Sequence, residues 1–264
     1  RLSPTLASCT GYLPAGIGWY RKHFTVKDNA PRHYIYFEGV YNRSEVYLNG
    51  QLLGKRPNGY VSFMYDLTPY LKDGDNVLAV RVDHSRYADS RWYTGSGIYR
   101  DVWLISAPQT HFSLWGVGWH AKSITDKQAI VSVNMEVQKH LPSHSRLQVT
   151  ASPYDADNNL IASRTISVND KEPGLSNVAT ELKVKSPHLW DLDDPYLYIL
   201  ETDILSDGQK IDGSKSRVGL RTLTFDPDKG FALNGNWMKV KGVCLHHDAG
   251  VLGAVVPQEV WRRR

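Results

Sequence analysis

Short runs of β-branched and aromatic residues, each closed by a turn signal, follow one another along most of this chain, and that rhythm constrains its fold more than any other feature. Segments 20–26, 34–37, 44–48, 62–67, 77–82 and 102–105 fit the strand template of about 4–8 residues. Between two of them, Asn49-Gly50 supplies the positive φ values that a two-residue hairpin turn demands. Lys72-Asp73-Gly74-Asp75-Asn76 is a second turn of the same logic, and Ala107-Pro108 closes the block. The first stretch of the chain therefore reads as all-β.

A second set of strands begins near Gln109, at 129–138, 146–153, 160–168, 180–184, 197–205 and 216–220. Short strands at this spacing indicate an immunoglobulin-like sandwich. The chain has only two cysteines, Cys9 and Cys244, too far apart in sequence to read as a disulfide framework, so an antibody-type domain is excluded. Cys244 lies in an apolar stretch and is expected as a buried thiol. Beyond Arg221 the character changes. Residues 231–236 form a small hairpin around Asn234-Gly235, 238–245 are an apolar strand, and Pro257 suits the first turn of a helix. A strand, a loop and a starting helix look like the opening of a parallel α/β unit. Three domains are expected: 1–108, 109–222 and 223–264.

With 41% hydrophobic and 22% charged residues, the chain has the composition of a globular protein. No apolar run reaches the roughly 18 residues of a membrane helix, and the N-terminus shows no basic-then-apolar signal pattern. Basic residues number 31 against 27 acidic, and the one dense basic run is Arg262 to Arg264. Charge spread in this way argues against a nucleic-acid groove. Asn42-Arg43-Ser44 is a glycosylation sequon by pattern only. The missing initial Met reads as a processed piece of a longer protein.

Three separated stretches carry a family resemblance. Gly18-Trp19-Tyr20-Arg21-Lys22 with Phe24, Phe37-Glu38-Gly39-Val40 and the Tyr47 to Gly50 hairpin resemble the sugar-binding jelly-roll domain of glycoside hydrolase family 2. The run from Ser90 through Arg91-Trp92-Tyr93-Thr94-Gly95-Ser96-Gly97-Ile98-Tyr99-Arg100 to Val102 is similar to the β-galactosidase form of that domain's last loop and strand. Leu233-Asn234-Gly235 with Lys241 to Asp248 resembles the entry to the family's catalytic (β/α)8 barrel, and Leu189-Trp190 with Asp194 to Tyr198 its second domain. The resemblance implies a mainly β chain, a jelly-roll sandwich followed by an immunoglobulin-like one, with a truncated start of the barrel. A further strand upstream of Gly18 belongs to the family pattern.

The resemblance also implies the chemistry of a retaining exo-β-galactosidase, in which two carboxyl groups about 5 Å apart act as nucleophile and as acid then base. In the family both are glutamates on later barrel strands, so no catalytic residue is assigned here and the chain by itself is expected to be inactive. Substrate-binding roles fall on His246, at the end of the first barrel strand, and on Asp89, Arg91 and Trp92 of the long loop before Ile98. A neutral imidazole donates and accepts hydrogen bonds to hydroxyls, a carboxylate accepts two, and an indole offers a face to the sugar ring.

Bland readings stand beside these. His246 can be a packed strand residue, and Asp89 can pair with Arg86 or Arg91 and only shape the loop. His246, His247 and Asp248 suggest a metal, but neighbours on a strand point to opposite faces. Asp191, Asp193 and Asp194 precede Pro195 and read as caps of a turn rather than paired catalytic acids. No cofactor is expected, and a divalent or sodium ion is left open for the full-length parent. The expected partner is a carbohydrate substrate, with no nucleic acid and no membrane, and the resemblance allows a homo-oligomeric parent. Two other readings remain, a stand-alone carbohydrate-binding or scaffold module and another family specificity such as β-glucuronidase or β-mannosidase.

Overall fold

The computed structural model describes residues 16–86, 95–142, 145–246, 249, 252 and 254–263. The chain falls into two units, residues 1–106 with 243–264 and residues 107–242. The first unit carries β1 (Ile17–Phe24), β2 (Arg32–Phe37), β3 (Val40–Tyr41), β4 (Ser44–Leu48), β5 (Gln51–Arg56), β6 (Phe63–Asp66), β7 (Asn76–Asp83), β8 (Gly97–Ile98) and β9 (Val102–Ala107). Their sheets run β1-β7-β4-β5, β6-β2-β9 and the small pair β3-β8. Alternation decides what is inside. Val46 and Leu48 of β4 and Leu78, Val80 and Val82 of β7 face Ile35, Phe37 and Phe63 of the other sheet in one core. Phe37 stacks on Phe63 with ring centroids 5.0 Å apart. Each such side chain withdrawn from water stabilises the fold by about 1.5–3 kcal/mol.

The Asn49-Gly50 hairpin forms as its sequence dictates, with φ of 51° and 87° and Leu48 paired to Gln51. Asn49 has a second task. Its Nδ2 donates to Asn76 Oδ1 at 2.8 Å and to the Tyr70 carbonyl at 2.9 Å, while its Oδ1 accepts from the Val77 amide at 2.9 Å. Asn76, fully buried, accepts from the Lys72 amide and donates to the Lys72 and Gly74 carbonyls, which pins the second turn. Asn76→Ala removes these hydrogen bonds from the turn, at about 1–3 kcal/mol for each backbone group that water does not reach. The expected result is a fall in Tm of about 10 °C or more, read by thermal denaturation. An unchanged Tm would show the network to be dispensable.

The second unit carries β10 (Thr110–Ile124), β11 (Gln128–Lys139), β12 (Leu147–Tyr154), β13 (Arg164–Ser167), β14 (Gly174–Lys185), β15 (Tyr198–Ser206), β16 (Gln209–Val218), β17 (Leu223–Asp226), β18 (Gly230–Leu233) and β19 (Asn236–Met238). Sheet β10-β11-β14 faces sheet β13-β12-β15-β16, an immunoglobulin-like pairing. Val133, Met135 and Val137 of β11 meet Val149, Ala151, Leu200 and Ile204 from the opposite sheet. The third sheet, β17-β18-β19, turns at Asn234-Gly235 with φ of 50° and 81°. A helix α1 (Gln258–Arg263) follows Pro257. Among the described residues no helix is long and apolar enough to cross a membrane.

Two expectations fail at the end of the chain. The apolar strand expected over 238–245 is absent beyond Met238, the last residue of β19; 239–246 have no regular structure and are exposed. A parallel barrel strand draws its ladder from strands on both sides, and among the described residues none pairs with this segment. For the same reason Cys244 is an exposed free thiol rather than a buried one, and Val243 stands 83% exposed.

Candidate functional site

The long loop between β7 and β8 leaves the sheet through a buried histidine. His84 continues the inward alternation of Leu78, Val80 and Val82 and is 1% exposed. Its Nδ1 lies 2.6 Å from Ser96 Oγ, and its ring meets the edge of Tyr41 at 5.0 Å. Residues 84 and 96 thus clasp the two ends of the loop. Asp89, Arg91 and Trp92 lie between them, outside the described residues, as do His247 and Asp248. The exit is set by Asp83, which accepts from the Ser85 hydroxyl at 2.6 Å and the Ser85 amide at 3.0 Å and faces Arg43 and Arg81 at 3.3 and 3.2 Å. Those hydrogen bonds, Ser85's first, hold the Asp83 carboxyl far below the usual carboxylate range.

The far side of the loop is fixed by close backbone approach. Gly97 has φ of +101°, and a Cβ there would fall 2.1 Å from Tyr20 Oη. That makes glycine a requirement, because a side chain is barred both by conformation and by space. Next to it Tyr99 donates to the Gly59 carbonyl at 2.8 Å, and burial pushes its phenol pKa up. Tyr41, Tyr99 and Ala254 form a small core, and a Cβ on Gly95 would lie 2.3 Å from that of Ala254. The segment holding Ala254 is the one holding His246, so His246 and the clasped loop belong to the same unit. His246 is exposed on the irregular stretch 239–246.

Two of the acids before Pro195, Asp191 and Asp194, have local partners. Asp191 Oδ1 accepts from the Leu192 amide at 2.7 Å, its Oδ2 accepts from Asn234 Nδ2 at 3.2 Å, and Asp194 meets His188 Nε2 at 2.6 Å. Among the described residues no group of three or more His, Cys, Asp or Glu side chains is placed to hold a metal. Sequence reading missed His84 and Ser96. The signal for His84 was present, since period-2 alternation through 78, 80 and 82 reaches 84 next.

Two family profiles cover these sandwiches. The sugar binding domain of glycosyl hydrolases family 2 matches residues 5–108, and a second profile, of glycosyl hydrolases family 2, matches 113–221. The chain belongs to glycosyl hydrolase family 2. Among its family 2 relatives, a β-galactosidase of Bacteroides ovatus is 46% identical over 93% of this chain and 29% of its own length. A family 2 crystal structure from Bacteroides cellulosilyticus superposes with a TM-score of 0.91 at 32% identity, over 100% of this chain and 35% of the other. The β-glucuronidase of Bacteroides uniformis follows at 0.86 and 29%, over 95% and 32%. The chain thus spans about a third of the length of these three proteins. The names of its relatives divide between β-galactosidase and β-glucuronidase, a distinction the sequence had drawn from the 90–102 stretch alone.

Proposed function

We propose that this chain is the N-terminal, non-catalytic portion of a retaining exo-β-galactosidase that hydrolyses terminal β-D-galactosides. In this reading 1–108 are the sugar-binding jelly roll, 109–222 the immunoglobulin-like sandwich, and 223–264 the entry to the catalytic barrel. The observation that carries it is the 46% identity to the Bacteroides ovatus β-galactosidase, above the 38% shared with a Formosa agariphila protein named as a β-glucuronidase. The chain buttresses the barrel and lends His246, with Asp89, Arg91 and Trp92 of the clasped loop, to the edge of the galactose pocket. The two catalytic carboxyl groups are supplied by barrel strands outside these residues.

A second reading, β-glucuronidase, is favoured by the TM-score of 0.86 to the Bacteroides uniformis enzyme. The two differ in one chemical demand, since a glucuronide brings a carboxylate that calls for a cationic partner, whereas a galactoside brings a hydroxyl. Against a stand-alone binding module, the deciding experiment is the mass of the native gene product. The proposal expects a protein about three times the 29.8 kDa of this chain. A native product of 29.8 kDa would overturn it.

A further inference from the structure

On the outer face of the three-stranded sheet in the second unit, β10 breaks step with β11. Phe112 pairs with Val137 and Val117 with Met135, so residues 113–116 bulge out opposite Glu136. Trp115 stands on that bulge, 69% exposed and with φ of +57°. A bulky side chain in the left-handed region is costly, and glycine would occupy it without strain. An indole so far exposed recovers little of that cost by burial.

Two glycines open the sheet surface beside Trp115. Gly116 admits no side chain, because a Cβ would lie 2.9 Å from the Ser113 carbonyl oxygen and 3.0 Å from Glu136 Cβ. Gly118 sits beside it and pairs across to Asn134, while Glu136 pairs across to Asn177 on β14. These residues line a depression of about 330 Å3. An indole, two amides and one carboxylate therefore share the lining of a shallow surface with the apolar Met135, Val178 and Ala179, and that lining contains no Lys or Arg.

A pyranose ring has the chemistry for such a lining. Its C–H face stacks on an indole, and its hydroxyls both donate to and accept from amides. A carboxylate accepts two hydroxyl protons but repels an anion. Phosphates, nucleic acids and uronic acids are disfavoured by Glu136 and by the lack of a cation in the lining. We infer that this depression binds a neutral sugar unit of an oligosaccharide. The inference goes beyond the proposed function, because it assigns sugar binding to the second unit whichever glycoside the parent cleaves.

The test uses the 264-residue chain with lactose, β-1,4-galactotriose and digalacturonate as probes, titrated by intrinsic fluorescence and by NMR. Lactose or galactotriose is expected to bind and digalacturonate not to. Trp115→Gly is expected to weaken binding by about tenfold or more while leaving Tm unchanged or raised, since glycine accepts the positive φ. Glu136→Gln should weaken binding with Tm retained. Trp237→Ala, which removes a half-exposed indole on β19, should leave binding intact. Several results would overturn the inference. They are no binding of either neutral probe in the millimolar range, a preference for digalacturonate, or a Trp115→Gly protein that loses Tm yet binds as before. Trp115-dependent self-association in sedimentation would likewise overturn it by naming a second copy as the occupant.

Discussion

Incubated with a chromogenic β-galactoside, the purified 264-residue chain is expected to release no aglycone above the uncatalysed rate. Opening a glycosidic bond by the retaining route needs two carboxyl groups about 5 Å apart, one attacking the anomeric carbon and one protonating the leaving oxygen. A (β/α)8 barrel presents such groups at the C-terminal ends of its strands. The described residues form sandwiches and a three-stranded sheet, and no closed barrel is among them. Residues that bind a sugar can orient it, yet without the carboxyl pair the barrier is untouched. Glycosidases lower that barrier by many powers of ten, so the contrast between chain and full-length enzyme is the largest effect expected. Turnover that co-purifies with the chain to homogeneity would contradict it.

In the full-length enzyme, His246→Ala is expected to lower kcat by about 10- to 100-fold while raising KM much less. A hydrogen bond to a ring hydroxyl is worth more as the sugar distorts toward the oxocarbenium-like transition state, so its loss falls on the rate. At about 1.4 kcal/mol per factor of ten, the expected loss corresponds to one good hydrogen bond. The alternative, a packed residue, moves a different readout. His246→Ala would then lower Tm and leave the kinetics of the folded enzyme unchanged. His247→Ala is the neighbouring control. Equal kcat in wild type and His246→Ala would defeat the role proposed for this residue.

How much of this was legible in the sequence depended on how local the physics is. The Asn49-Gly50 and Asn234-Gly235 hairpins are set by two residues whose backbone preferences need no tertiary help. Asp207-Gly208, with φ of 48° and 83°, obeys the same rule and was overlooked, although it joins β15 to β16. Alternation made β7, β11 and β15 plain. It failed for β10, where the bulge at Trp115 and the glycines at 116 and 118 interrupt the period, and the strand was missed whole. It also overran at 160–168, where the continuous ladder on β12 is Arg164–Ser167 and Leu160 makes an isolated bridge to Tyr154. The apolar run 238–245 was read as a strand because a buried parallel strand looks like that, but such a strand exists only beside its neighbours. For the site, the resemblance pointed to His246 and the loop, while the clasp of His84 on Ser96 joins residues that only the folded chain brings together.

The most direct test of the account is the specificity of the full-length enzyme that carries this chain, measured as kcat/KM for p-nitrophenyl β-D-galactoside against p-nitrophenyl β-D-glucuronide. A site built for a C6 hydroxyl leaves the glucuronide's carboxylate without a cationic partner, an imbalance worth several kcal/mol and hence about a hundredfold or more in rate. The account predicts that ratio in favour of the galactoside. A preference for the glucuronide, or comparable values for both, would contradict it.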